Sequence, residues 1–131
     1  MITWKDEYLL GIEHIDNQHK ELFRIAGEIH ELLKNELIID KYDSIIKLLG
    51  ELKDYTVFHF TSEEEYMASI GYRNLLSHKV EHNDFIEKIN NVDLEKIDLD
   101  HEQYLLDILE FVLNWISNHI LNTDRGYSVK G

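Results

Sequence analysis

The chain contains neither cysteine nor proline. Without cysteine it cannot form disulfides, iron–sulfur clusters or thiolate metal sites, so any bound metal must be held by His, Asp and Glu. No hydrophobic run approaches the roughly 20 residues that a membrane-spanning helix needs. The amino terminus, MITWKDEYLL, also lacks the apolar centre of a signal peptide. These absences predict a cytoplasmic protein that does not insert into a membrane.

Positive charge is also scarce. Thirteen basic residues stand against 26 acidic ones, which gives a formal net charge of −13. Such a surface repels phosphate backbones and anionic membranes. Nucleic-acid binding is therefore not expected, and the acidity otherwise indicates no particular partner because it also favours solubility.

Helical periodicity accounts for most of the 131 residues, which are enough for one domain with one hydrophobic core. Apolar residues recur at helical spacing in four segments, at about 17–34, 41–70, 74–90 and 100–124. The short connections between them favour antiparallel neighbours. The sequence thus predicts an all-α, up-down-up-down four-helix bundle as a single domain over 1–131. An irregular lead-in at about 1–15 is expected to pack Trp4 and Ile12 against it, and Asp16 is the expected N-cap of the first helix.

Histidine and glutamate pairs lie on the apolar stripes of two predicted helices. On a helix, residues four apart lie one turn apart and differ by only about 40° in direction. His59 and Glu63 form one such pair, and His78 and His82 form another. Each pair is therefore a two-pronged clamp directed toward the core.

Two further histidines also face inward. His19 lies one turn before Phe23, and His119 continues the face that carries Trp115 and Ile116. One inward histidine is usually a hydrogen-bonded core residue. Five of them with an inward glutamate require a common partner, because a buried carboxylate without one is strongly unfavourable. The pattern indicates a metal centre.

The other three histidines and Asp124 are less clear. His14 is expected before the first helix, His30 on a polar edge and His101 in the acidic start of the fourth helix, so none is expected to be a ligand. Asp124 follows His119 by five residues, which on an ideal helix points it about 140° away. Unwinding at the helix end would bring its carboxylate back, so geometry alone leaves Asp124 open.

Four stretches of the chain together resemble the hemerythrins, in their single-domain bacterial form. They are WKDEYLLGI with IDNQHKELF between Trp4 and Phe23, HFTSEE at 59–64, HKVEH at 78–82 and WISNHILNTD at 115–124. One His followed by HxxxE, HxxxH and HxxxxD in this order is highly specific, and it extends over essentially the whole length.

The resemblance implies a non-heme centre of two iron ions with seven protein ligands: His19, His59, Glu63, His78, His82, His119 and Asp124. Three histidines (78, 82 and 119) would bind one iron, and two (19 and 59) would bind the other. Glu63 and Asp124 would bridge the ions together with an oxo or hydroxo group. The second iron would keep an open position for dioxygen beside Ile116, Trp115 and Phe23. No catalytic residue is implied.

The function implied is reversible dioxygen binding for storage, transport or delivery, by a monomer that could supply an oxygen-consuming enzyme. Ferritin-like di-iron enzymes carry more glutamate ligands. Five imidazoles and two carboxylates offset the charge of two Fe(II) ions less completely, which favours binding over oxygenation. The alternatives are a di-iron oxidase, a peroxidase, a nitric-oxide-handling enzyme, an oxygen or redox sensor, and a metal-free structural bundle. Histidine also accepts zinc, copper and nickel, so residue types alone do not fix the metal.

Overall fold

Four α-helices make up most of the protein in a computed structural model. It describes residues 3–35, 41–91 and 101–128, without the side chains of residues 41, 42, 101 and 102. The helices are α1 (Glu13–Lys34), α2 (Lys41–Ser69), α3 (Leu75–Asn90) and α4 (His101–Asn122). Helix α1 packs against α2 and α4, and α2 packs against α3. The predicted antiparallel four-helix bundle is confirmed, and the described ranges contain no strand.

Helix α1 begins four residues earlier than its periodicity suggested, and Ile12 is its N-cap. The prediction that Asp16 caps α1 is therefore wrong. Asp16 lies inside the first turns, where its buried carboxylate accepts hydrogen bonds from the backbone N–H groups of Leu10 at 2.8 Å and Gly11 at 3.1 Å. The carboxylate thus ties the preceding segment to α1 instead of capping the helix. His14 consequently lies within α1, not before it.

The lead-in packs against the bundle, as predicted for Trp4 and Ile12. It contains a short 3-10 turn, Asp6–Tyr8. The Tyr8 ring stacks on Phe23 with centroids 5.2 Å apart, and Trp4 meets Phe23 edge-on at 5.8 Å. These contacts cover the first half of α1, where His19 lies.

The core changes character along the bundle axis. At the apolar end, where α1 ends and α2 and α4 begin, the buried side chains are aliphatic, among them Ile29, Leu33, Ile45 and Leu105. Burying each such side chain contributes roughly 1.5–3 kcal/mol. At the opposite, polar end, the core contains histidines and carboxylates. No described helix is both long enough and apolar enough to span a bilayer. The predicted connections at 35–40 and 91–99 lie outside the described residues, except for Asn35 and Asn91.

Candidate metal centre

Seven ionisable side chains, from the four α-helices and the 3-10 turn after α4, meet at the polar end, and none is more than 6% exposed. They are the seven that the sequence singled out: His19, His59, Glu63, His78, His82, His119 and Asp124. His19 comes from α1, His59 with Glu63 from α2, and His78 with His82 from α3. The antiparallel arrangement brings the start of α1 and α3 to the same end as the close of α2 and α4.

Asp124 reaches this site because the α-helix stops before it. Helix α4 ends at Asn122, and a 3-10 turn over Asp124–Tyr127 follows. The change of backbone brings Asp124 Oδ1 to 3.0 Å from His119 Nε2. Gly126 lets the turn pack closely, since a Cβ there would collide with the hydroxyl of Tyr72. The sequence left open whether the end of the fourth helix unwinds to bring Asp124 back to the site. The structure shows that it does.

His78, His82 and His119 form the three-histidine group. Their Nε2 atoms face one another, with His119 lying 2.9 Å from His78 and 3.1 Å from His82. Donor atoms that share one ion at metal–nitrogen distances of about 2.1 Å lie about 3 Å apart. Glu63 Oε1 is 2.6 Å, and Asp124 Oδ1 2.9 Å, from His78 Nε2. Five donors therefore converge on one point.

His19 and His59 form the two-histidine group, and they face the other oxygen of each carboxylate. His59 Nε2 lies 2.8 Å from Glu63 Oε2, and His19 Nε2 lies 3.3 Å from Asp124 Oδ2. Their ring centroids are 4.5 Å apart. Each carboxylate thus divides its two oxygens between the two groups, which is an arrangement suited to bridging a pair of cations.

The hydrogen bonding of these atoms is incomplete. Both oxygens of Glu63 and of Asp124, and both ring nitrogens of His19, are buried without a partner of hydrogen-bond geometry among the described residues. Leaving a buried polar atom unsatisfied costs about 1–3 kcal/mol. A cation in each group would satisfy the carboxylate oxygens and the Nε2 atom, and nitrogen with oxygen donors suits iron. The side chains present therefore fit a two-metal centre.

Strong electrostatic coupling joins the same groups. Burial raises the pKa of Glu63, but contacts with His59, His78 and His82 outweigh it and hold that pKa well below its usual range. Burial lowers the pKa of His78, but Asp124 and Glu63 outweigh it and raise that pKa to about 9. Burial, with His19 nearby, lowers the pKa of His59. Without metal, the lowered pKa of Glu63 and the raised pKa of His78 favour the charged form of each group.

Aromatic rings cover the three-histidine group. Phe60 stacks on His82 with centroids 3.8 Å apart and an interplanar angle of 3°, and Trp115 stacks on His119 at 4.4 Å. Phe85 in turn stacks on Trp115 at 4.2 Å. Trp115, which the sequence analysis placed beside the oxygen position, thus lies against the three-histidine group. Phe23 follows His19 by one turn of α1, and its ring contacts those of Tyr8 and Trp4.

Sequence reasoning missed several polar residues around the ligands. His59 Nδ1 donates to Gln18 Oε1 at 2.7 Å, and His82 Nδ1 donates to Glu64 Oε2 at 2.9 Å. Tyr127 is also buried, and its hydroxyl has no partner among the described residues. Burial and the charges of Asp124 and Glu63 raise the pKa of Tyr127. For Gln18 and Glu64, only their adjacency to the predicted ligands His19 and Glu63 could have indicated a role, and Tyr127 lacks even that signal.

The histidines predicted not to be ligands lie apart from the site where the structure describes them. His14 is exposed, with its ring 5.7 Å from that of Tyr66. His30 is half-buried. Burial is the main cause that lowers its pKa, and the positive charge of Lys34 lowers that pKa further. The side chain of His101 lies outside the described residues.

Comparisons with known proteins show which proteins this chain is similar to. The family model described as the hemerythrin HHE cation binding domain matches residues 10–128. The bacteriohemerythrin of Clostridium acetobutylicum is 51% identical over 97% of this chain and 98% of its own length. The myohemerythrin of Theromyzon tessulatum is 31% identical over 97% of this chain and 91% of its own. A wild-type hemerythrin crystal structure superposes with a TM-score of 0.77 and 28% identity, covering 98% of this chain and 95% of that one.

Proposed function

The chain belongs to the hemerythrin family, and from that premise we propose how its residues accomplish reversible dioxygen binding at a di-iron centre. The observation that carries the proposal is the division of Glu63 and Asp124 between two histidine groups. One iron would be held by His78, His82 and His119, and the other by His19 and His59. The two carboxylates would bridge the ions, with an oxo or hydroxo group between them.

The two groups differ in the number of histidines they contain. His19 and His59 would give their iron one nitrogen donor fewer than the three-histidine group gives its own, so we place the dioxygen site on the two-histidine side. When bound, the two Fe(II) ions supply the electrons with which dioxygen is held reversibly. The protein's part is to present neutral Nε2 donors in fixed directions and to keep both ions adjacent through Glu63 and Asp124. Both tasks are met by the metal ligands, and neither requires a catalytic residue.

The apolar shell keeps water away from the centre. Phe60, Phe85 and Trp115 cover the three-histidine group, while Ile116 is 3% exposed and Phe23 is 7% exposed. We propose that Ile116 and Phe23 border the oxygen position and that excluded water slows irreversible oxidation. An Ile116→Asn variant should oxidise faster in air while it still binds two irons. An unchanged oxidation rate would contradict this role.

A visible absorption spectrum with iron quantification tests the function. Reduced protein should be colourless without oxygen, gain a visible band in air and lose it on purging, at about two irons per chain. A band that purging does not remove would contradict reversible binding. Sustained turnover of peroxide or nitric oxide by the iron-loaded protein would instead favour an enzyme, which we propose it is not.

The biological setting is a finer proposal. We propose a cytoplasmic monomer that stores oxygen or delivers it to an oxygen-consuming enzyme. The surface charge of −13 supports this by opposing self-association at neutral pH. Size-exclusion chromatography of the iron-loaded protein at the mass of one chain would agree, and a stable dimer would contradict the monomer.

A further inference from the structure

One histidine in each group is held from behind by a second side chain. His59 Nδ1 donates to Gln18 Oε1 at 2.7 Å, and His82 Nδ1 donates to Glu64 Oε2 at 2.9 Å. The Nδ1 atoms of the other three, His19, His78 and His119, have no hydrogen-bond partner within the described ranges. Each group thus contains one imidazole whose Nδ1 is hydrogen-bonded to a side chain, and the two acceptors, which we call the anchors, are different residues. His119 Nδ1 has the carboxylate of Glu81 at 3.8 Å, beyond hydrogen-bond distance.

The two anchors differ in charge. Gln18 is a neutral amide that is 9% exposed. Glu64 is a carboxylate whose side chain is 24% exposed, with Lys79 Nζ 3.9 Å away. Hydrogen bonds to an ionised acceptor are roughly twice as strong as neutral ones. A partner that accepts from one ring nitrogen increases the donor strength of the other. His82 is therefore the stronger electron donor, and His59 the weaker.

We propose that Gln18 and Glu64 are positioning residues that tune the two halves of the centre in opposite directions. Glu64 strengthens His82 as a donor to the three-histidine iron. Gln18 fixes the orientation of His59 but leaves it a weak donor, so the oxygen-binding iron holds its electrons more tightly and resists irreversible oxidation. This deepens, and rests on, the function proposed above.

The local packing shows that both anchors are built into the site. Gln18 immediately precedes the ligand His19 in α1, so the helix turn that places one ligand also places the anchor of another. Glu64 follows Glu63 in the same way in α2. Phe60 lies parallel to the His82 ring at 3.8 Å, which fixes the plane in which Nδ1 meets Glu64. Both imidazoles are thereby held with Nε2 directed at the carboxylates.

Exchanging amide and carboxylate tests the proposal with matched controls. The variants are Gln18→Glu and Glu64→Gln. The controls make the same charge changes at exposed positions, Gln103→Glu in α4 and Glu65→Gln beside Glu64. Zinc accepts the same ligands and is inert to oxidation, so the zinc-loaded proteins allow the ring Nδ1–H protons to be observed by NMR. Iron-loaded proteins then give reduction potentials and oxidation rates in air.

The NMR experiment distinguishes an effect of Gln18 and Glu64 on the Nδ1–H hydrogen bonds from a role in packing alone. In the zinc-loaded parent, the His82 Nδ1–H resonance should lie further downfield than that of His59, because its acceptor is charged. Glu64→Gln should move the His82 resonance upfield, and Gln18→Glu should move the His59 resonance downfield, while both controls leave them in place. Resonances that stay in place in both variants would overturn the proposal. Since Glu64 is partly exposed, its variant remains informative even if Gln18→Glu folds poorly.

The iron-loaded proteins test the consequence. Gln18→Glu should lower the reduction potential and raise the oxidation rate in air severalfold, and Glu64→Gln should raise the potential. Reversible oxygen binding with potentials equal to those of the controls would overturn the inference and leave the proposed function intact. The expected NMR shifts without reversible oxygen binding would support the two anchors and refute the proposed function.

Discussion

The two ends of the bundle are built from opposite kinds of residue, although the same four helices run through both. At the apolar end, Ile29, Ile45 and Leu105 are no more than 1% exposed. At the polar end, Glu63 and Asp124 are fully buried with their oxygens unsatisfied within the part of the chain that the structure describes. Apolar burial is favourable without any specific partner, whereas burial of a charge is costly unless the charge is paired.

This difference assigns stability and function to separate regions. The apolar end gains free energy by excluding water, without any bound ligand. The polar end is completed only when cations satisfy the donors that the protein cannot satisfy by itself. The metal site thus lies at the end of the bundle whose buried polar atoms lack partners within the protein. The apolar end provides the rigid packing that keeps the metal donors in place.

Removing the metal should have the largest effect and should act mainly on the polar end. A ligand at a thousandfold excess over its Kd stabilises by about 4 kcal/mol, which lowers Tm on removal by on the order of 15 °C for a domain of this size. Thermal melts with and without chelator measure this. Hydrogen exchange should accelerate around His19 and His78 while amides near Ile29 and Leu105 stay protected. Equal acceleration at both ends would show that metal binding stabilises the whole bundle and not mainly the polar end.

A cavity at the apolar end should give the converse result. Leu105 is 1% exposed, and replacing such a leucine by alanine costs about 2–5 kcal/mol. Leu105→Ala should therefore lower the free energy of unfolding by that amount, measured in urea, yet still bind two irons per chain. Leu76, which is 77% exposed, is the matched control and should change stability by no more than about 0.5 kcal/mol as alanine. Iron loss in Leu105→Ala would show that the two ends are not independent.

Asp16 should have an intermediate effect because it attaches the lead-in to the polar end. Asp16→Ala leaves the N–H groups of Leu10 and Gly11 without their acceptor, which costs about 1–3 kcal/mol. Release of Tyr8 from Phe23 should also admit water and speed oxidation in air. Asp16→Asn keeps one acceptor oxygen and should lose less stability. Equal oxidation rates in the alanine variant and the parent would contradict the shielding role.

The architecture could be predicted because helical periodicity fixes the direction of a side chain. Positions four apart, such as His59 with Glu63, must face the same way on any helix, and the structure confirms that they face inward. The start of α1 could not be predicted, because Asp16 accepts from the preceding segment instead of capping the helix. A local pattern cannot distinguish these two uses of one carboxylate.

The residues that support the ligands, Gln18 and Glu64, could not be predicted from the sequence either. Gln18 and His59 are 41 positions apart, and Glu64 and His82 are 18 apart. Such pairings arise from helix packing, and no local pattern indicates them. Asp124 is an intermediate case, because its place depends on where the α4 hydrogen bonds stop, and the sequence left that open.

The pH dependence of the metal-free protein should follow His78. Its pKa of about 9 in the folded protein lies above the unfolded value of about 6.5. The resulting stabilisation is complete below pH 6.5 and is lost as the pH rises through 9. The lowered pKa values of Glu63 and Asp124 give a contribution that is lost as the pH falls toward their folded values. Urea unfolding of the metal-free protein should therefore show lower stability at pH 9 than at pH 6.

A variant without the titrating imidazole provides the control for this pH dependence. His78→Gln should remove most of the difference in unfolding midpoint between pH 6 and pH 9. Metal binding requires neutral imidazole, so metal affinity should instead increase over the same range. Equal midpoints at the two pH values in the parent would contradict the assignment to His78.

Gly71 should give the smallest effect, and one that is independent of the metal. It forms the turn between α2 and α3 with φ of 64°, and a Cβ there would meet no atom within 4 Å. The cost of Gly71→Ala is therefore conformational alone, about 1 kcal/mol. The turn lies at the polar end, but its strain does not involve the ligands. The loss should be equal with and without metal, measured by urea unfolding. A larger loss of stability in the metal-loaded protein would mean that this turn helps to set the distance of 2.6 Å between Glu63 Oε1 and His78 Nε2.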